Sequence, residues 1–366
     1  MYPTTNTIRV FQPRQPLNTK GKLMSKVSIL LPNLNTFPFL EERMRSILSQ
    51  TLSDWELIIA DSFSSDGSWE FLKQFADRDP RIRAWQVPPG LYQSWNFCLE
   101  QIRGEYVYIA TSDDSMTDDC LEKMVDALER FPQCSLCHSA LGFIDESGKE
   151  VAADASHTSL FIDYPEDRLH LRMAPYDGLR ALAGDTVYPS ITQVLFRSSL
   201  LRETGNFPCN FGPMGDFLWD MKAGLFSNVV YLPEILSFWR IRSGQATLSD
   251  AEFRRRKLYF TRFETHLAMA ETALAETKGQ CALPCSRHAG LKPMRFRLFL
   301  MLLTGNGNSP RRFRKLTGYL LKYPEEIFLY PLLFLYKRLT GIPDLSVWRT
   351  RRFLHRFSSL IHIPEK

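Results

Sequence analysis

The chain predicts an α/β fold: a mixed, mostly parallel sheet flanked by helices, with a basic helical extension at its C-terminal side. Three observations carry this. Short apolar runs alternate with segments of helical periodicity up to about residue 130, the pattern of strands joined by crossover helices. Two runs end in acids, Trp55 to Asp61 and Tyr106 to Asp114. Charge is also divided: residues 290–366 hold 15 Lys and Arg against 4 Asp and Glu, whereas residues 1–289 hold 30 against 36.

Lys26 to Pro32 is the first strand, a near-continuous apolar run of the kind buried on both faces. Phe39, Leu40, Met44, Ile47 and Leu48 then recur on one helical face. The second strand ends at Asp61, and Ser62 to Gly67 turn the chain into a helix with Trp69, Leu72 and Phe75 inward. A strand at 82–87 precedes the Pro88-Pro89-Gly90 break. The next helix carries Leu91, Trp95, Cys98, Leu99 and Ile102, with Gly104 expected as its C-cap. A strand ending at Asp113 leads to a helix expected to open at Thr117, with Asp118 and Asp119 in its first turn. Together these elements describe a Rossmann-like sheet. Beyond them the pattern loosens: strands at 135–145, 192–196, 229–231 and 235–241, a turn at 146–149, and a short helix over 216–223.

Seven cysteines without framework spacing read as free thiols of a reducing cytoplasm. The first 24 residues read as a flexible arm, with Met24 a second candidate start. Every apolar run falls short of the ~20 residues a membrane span needs. Leu298 to Leu303 and Ile327 to Tyr336, edged by Arg311 to Lys315, Lys337-Arg338 and Arg349 to Arg352, suit a helix lying on an anionic membrane surface. The plainer reading is a helical subdomain with solvated charges. No nucleic-acid-binding motif accompanies the charge.

Ligands of open α/β sheets gather at the carboxyl ends of strands. Carboxylates on two such ends suit Mg²⁺ or Mn²⁺ shared with substrate phosphates. The residues then imply a metal-assisted enzyme acting on a nucleotide or other phosphorylated donor.

The ordered set Val27 to Asn35, Ser46 to Thr51, Trp55 to Asp61, Ser64 to Gly67, Gly90 to Asn96 and Gly104 to Asp114 resembles glycosyltransferase family 2. The likeness is dense over 27–125 and thinner to about 247. It implies the GT-A fold over 25–250, with a nucleotide-sugar half (25–130), an acceptor half (131–250) and the basic region 251–366 appended. By the same resemblance Pro32, Asn33, Asn35, Asp61, Asp66, Asn96, Ser112 and Asp113 bind the nucleotide. Asp113 and Asp114 hold Mg²⁺ or Mn²⁺, and Asp216 is the general base; the forks of Arg240 and Arg242 suit contact with the diphosphate or, equally, pairing with acids of the body. Four departures stand out. Asp61-Ser62 replaces paired acids, Thr111 an acid, Gly215 a glutamate, and Arg242 a histidine.

Each acid has a plainer role beside the functional one. Asp61 suits a strand-end turn, Asp113 and Asp114 a helix cap, and Asp216 a helix N-terminus; Asp220, the fallback base, suits a surface charge. The resemblance implies an inverting glycosyltransferase moving one sugar from a UDP-linked donor to a glycan or lipid-linked acceptor, located in the cytoplasm or on the inner face of the membrane. A sugar nucleotidyltransferase and a decayed glycan- or membrane-binding protein remain as alternatives.

Overall fold

A computed structural model describes residues 25–152, 165–242 and 256–277, together with 280–281, 283, 290–295, 318–323 and 345–364. The N-terminal arm and the apolar segments at 298–303 and 327–336 lie outside the described residues. Among the described residues no helix is long and apolar enough to cross a membrane.

The first half alternates as the sequence requires: β1 (Ser25–Asn33), α1 (Phe37–Leu48), β2 (Trp55–Asp61), α2 (Ser68–Ala76), β3 (Ile82–Gln86), α3 (Leu91–Glu100) and β4 (Gly104–Ile109). These strands lie in parallel order β3-β2-β1-β4, so the order reverses beside β1. Both faces are covered, which is why the strands read as apolar runs. Leu30, Ile58, Val107 and Ile109 enter the core shared with α3. Ile29, Leu31, Leu57, Ile59, Tyr106 and Tyr108 enter the one beneath α1 and α4.

The second half adds β5 (Ser115–Met116), α4 (Cys120–Arg130), β6 (Leu136–Ile144), β7 (His170–Arg172), α5 (Tyr176–Leu182), β8 (Val194–Arg197), α6 (Leu201–Thr204), α7 (Gly215–Phe226) and β9 (Val229–Arg240). Then come α8 (Arg256–Glu276), α9 (Leu345–His355) and β10 (Ile361–His362). The complete sheet runs β10-β7-β9-β6-β8-β4-β1-β2-β3, with β5 pairing β9. Here directions mix: β8 is antiparallel to β4 and β6, and β9 is parallel to β6.

Several expectations are corrected. Gly104 is no helix cap: α3 closes at Gln101, and Gly104 opens β4, where a side chain would meet the Ser28 backbone nitrogen at 2.5 Å. α4 begins at Cys120, and the Thr117 hydroxyl donates to Asp119 Oδ1 instead of capping it. The two strands expected at 229–231 and 235–241 are one strand, β9. β7 and α5 were not foreseen, because the charged and small residues that build them carry no apolar period. The six described cysteines are free thiols.

Candidate active site

One cavity of about 410 Å³ opens at the carboxyl ends of β1 and β4, a usual size for a small-ligand site. Its wall contains Pro32 and Asn33 from β1, Ser62 after β2, and Thr111 to Asp114 after β4. The second half supplies Pro189, Ser190, Pro213, Asp216, Trp239 and Arg242. The structure thus gathers Pro32, Asn33, Ser112, Asp113, Asp114, Asp216 and Arg242 from the expected set. Asn35, Asp61, Asp66, Asn96 and Arg240 are not among the residues that line it.

Those five have work of their own. Asp61 is fully buried; it accepts Asn33 Nδ2 at 2.7 Å and the Ser64 amide at 2.9 Å, so it shapes the wall through Asn33. Asn35 completes the clamp, accepting the Ser65 amide and donating its own amide to Ser64 Oγ, both at 2.9 Å. Asp66 accepts the Phe37 amide at 2.9 Å and so satisfies the N-terminus of α1, which has no cap of its own. Asn96 grips the Phe207 backbone through both amide atoms, at 2.8 and 2.9 Å.

Of the two readings open for Arg240, its contacts match the one in which it pairs within the body. Its side chain is 1 % exposed and is engaged by the protein: Nε donates to the Asp113 carbonyl at 2.6 Å, Nη1 to the Asp145 carbonyl at 2.8 Å, and Nη2 to Glu42 at 2.5 Å. Asp114 is similarly occupied, receiving the Arg240 amide on Oδ1 at 2.9 Å and the Thr111 hydroxyl on Oδ2. Burial, helped by the Asp113 carboxylate, pushes Asp114 up to about 7. Thr111, a departure at sequence level, is therefore the residue that satisfies Asp114.

Asp113 is more open. Its Oδ2 receives Arg242 Nε at 2.7 Å in a pair that is 17–18 % exposed, and the residue lines the cavity. Hard carboxylate oxygens at this place fit Mg²⁺ or Mn²⁺ shared with substrate oxygens. They do not fit an all-protein cage: among the described residues no group of three or more His, Cys, Asp or Glu is placed to hold a metal.

Asp216 stands in the first turn of α7, in the cavity wall, with its Oδ1 receiving the Phe217 amide at 2.9 Å. The missing glutamate before it now has a physical reason. A Cβ on Gly215 would lie 2.2 Å from the Pro208 carbonyl oxygen and 2.6 Å from the Tyr92 ring. Tyr92 fills that space, its hydroxyl donating to the Pro213 carbonyl at 2.9 Å. Burial and the neighbouring Asp216 carboxylate drive the Tyr92 phenol far up. Asp220 is no surface charge: its Oδ1 is buried without a hydrogen-bond partner, and burial followed by Asp216 pushes its carboxyl well up.

Sequence reasoning missed Ser190, Pro189, Pro213 and Trp239 as cavity residues, since none belongs to an acidic or glycine-bearing motif. It also missed what holds Ser190 in place. Arg172 binds both oxygens of Asp177 at 2.7 and 2.9 Å, with both side chains at most 1 % exposed. Tyr188 donates to the same carboxylate at 2.9 Å, two residues before Ser190.

A parallel first half, a strand-order reversal and acids around one crevice define an α/β fold of the GT-A kind. Residues 28–205 match the model of Glycosyl transferase family 2. Among relatives, TuaG of Bacillus subtilis, assigned to teichuronic acid biosynthesis as a glycosyltransferase, is 32 % identical over 142 residues, 38 % of this chain and 53 % of that one. An uncharacterized glycosyltransferase of Haemophilus influenzae is 30 % identical over 143 residues, again 38 % of this chain and 56 % of the other. The chain thus spans about half the length of these relatives. Among solved structures, TarS 1–349 of S. aureus with UDP-GlcNAc matches at TM-score 0.60 and 15 % identity, over 91 % of this chain and 92 % of that one.

Proposed function

We propose that this protein is an inverting, metal-dependent glycosyltransferase that moves a single sugar from a nucleotide-sugar donor to a glycan or lipid-linked acceptor in polysaccharide biosynthesis. The observation that carries the reading is that Asp113 and Asp216, about a hundred residues apart in sequence, line one cavity with the β1 end. The TarS structures with UDP-GlcNAc and with UDP support a uridine donor, and the TuaG relationship supports a polysaccharide setting.

In this reading Pro32, Asn33, Ser62 and Ser112 border the nucleotide, backed by Asn35, Asp61 and Asp66. Asp216 takes the proton from the acceptor hydroxyl as that oxygen attacks the anomeric carbon. The bond to the donor diphosphate breaks, and its electron pair leaves with the nucleotide. One base and no covalent nucleophile give inversion. A bound Mg²⁺ or Mn²⁺, held through Asp113 with Asp114 behind it, would supply Lewis-acid stabilisation of the departing diphosphate. Arg242 adds a guanidinium on the same wall, and Arg240 holds the acidic loop in place. The basic region beyond Gly290 brings the enzyme to an anionic membrane surface; liposome binding unchanged by its deletion overturns that part.

Asp216→Asn is the direct test. Transfer falls by roughly 10²–10⁴-fold, the usual contribution of a general base, while UDP affinity and melting temperature stay at wild-type values. Full transfer by the variant removes Asp216 from the chemistry. No UDP binding by the wild-type protein, with or without Mn²⁺, favours the decayed binding protein instead.

A further inference from the structure

Two arginines leave the end of β9 two positions apart, with both guanidiniums over the Phe39 ring at 5.0 and 5.3 Å. They serve differently. Arg240 is fixed by several acceptors and is sealed from solvent. Arg242 lies in the cavity wall and rests on Asp113 Oδ2 at 2.7 Å. Asp114 also lines the cavity, but it is buried, and the Arg240 amide and the Thr111 hydroxyl each hold one of its oxygens. Asp113 is the more open carboxylate of this loop, and it already holds a cation.

We propose that Arg242 and the divalent cation compete for Asp113, and that the donor's diphosphate decides the competition by drawing Arg242 onto itself. This rests on the glycosyltransferase reading above. A divalent cation entering alone must displace a guanidinium and then sit beside it, and like charges a few ångströms apart repel. A diphosphate removes both penalties. It supplies oxygens to the metal and gives the guanidinium fork an anion it matches in geometry. Metal and nucleotide then bind as a coupled pair, and the coupling acts equally in both directions.

The test is titration calorimetry on the full chain with Mn²⁺ alone, UDP alone, and UDP at saturating Mn²⁺, for wild type, Arg242→Ala and Arg242→Lys. In wild type, Mn²⁺ raises UDP affinity by about tenfold or more, within the usual range of such coupling. Arg242→Ala has effects of opposite sign: Mn²⁺ alone binds several-fold tighter, while UDP with Mn²⁺ binds about tenfold weaker. Arg242→Lys, a point charge without the fork, falls between the two and serves if the alanine variant does not fold. Unchanged or weaker Mn²⁺ binding in both variants overturns the competition. If wild type binds UDP with Mn²⁺ and the variants show no opposite-sign effect, only this inference falls. If wild type binds no UDP under any condition, the enzymatic reading falls with it.

Discussion

Around β1, β2 and β4 the polar side chains collect at strand ends, where short loops hold them by local hydrogen bonds. Asn33, Asn35, Asp61, Ser64 and Asp66 all bind within two adjoining turns. Around β6, β7 and α5 the arrangement is reversed. Arg172, Asp177, Arg180 and Asp185 are sunk in the interior, their side chains 0–2 % exposed, with His138, His170 and Tyr188 bonded among them. The first half therefore gathers its polar groups at the strand ends beside the cavity. The second half uses charge as internal scaffolding for a wall otherwise built from loops.

The largest effect expected from breaking that scaffold follows from Asp177→Asn. It leaves Arg172 without its carboxylate, while Arg180 keeps Asp185, at a cost of about 3–5 kcal/mol typical of a severed buried ion pair. Denaturant unfolding measures it. An equivalent loss from Asp66→Asn in the first half would erase the contrast, because Asp66 is exposed and accepts two backbone amides at the starts of α1 and α2 rather than a buried cation.

Acid sharpens the same comparison. Burial, followed by Arg172, lowers His170 to about 4, and burial lowers His138 well below its usual value. Both rings must stay neutral to accept the Arg172 N–H groups. A histidine with a depressed folded pKa takes up its proton more readily when unfolded. Its contribution is complete above about pH 6.5 and is lost as pH falls toward 4, up to about 3 kcal/mol for His170. Asp177 adds loss at still lower pH. Burial opposes its charge, but Arg172 and Arg180 hold it below the usual carboxylate range, so stability drops as pH falls through that lower value. Thermal melts of wild type against His170→Gln between pH 7 and 4.5 read the histidine slope, which the variant flattens.

Gly215→Ala probes the contact between the halves. Its added carbon meets Pro208 and the Tyr92 ring, so the start of α7 moves and takes Asp216 with it. Misplacing a catalytic group by an ångström costs on the order of 10²-fold in rate. The expected outcome is a fall in kcat with UDP affinity retained; equal loss of both places the damage in the donor half.

The same division explains what the sequence made legible. The strands from β1 to β4 are apolar runs, and those of β2 and β4 lead into acids; both signals are local, so the parallel core and the acids at and after the ends of β2 and β4 were readable. What the acids do is less local. Asp61 and Asp113 look alike at the ends of two strands, yet Asp61 is closed off by Asn33 and Ser64 and Asp113 opens on the cavity. β7 and α5 hide because His170, Arg172, Asp177 and Arg180 read as surface residues until each finds its partner. Gly215 looked like a lost glutamate, and only the Tyr92 ring from another helix shows why the exchange is complete.

Arg240 carries a consequence for engineering this fold. Through one side chain and its amide it ties β9 to the loop at Asp113 and Asp114, to Glu42 on α1, and to the turn at Asp145. Recombining acceptor halves among relatives to change what is glycosylated would then not be a cassette exchange. A transplanted β9 lacking this guanidinium releases the acidic loop of its new host. Chimeras joined before residue 131 inherit donor chemistry only if an arginine arrives at this one position.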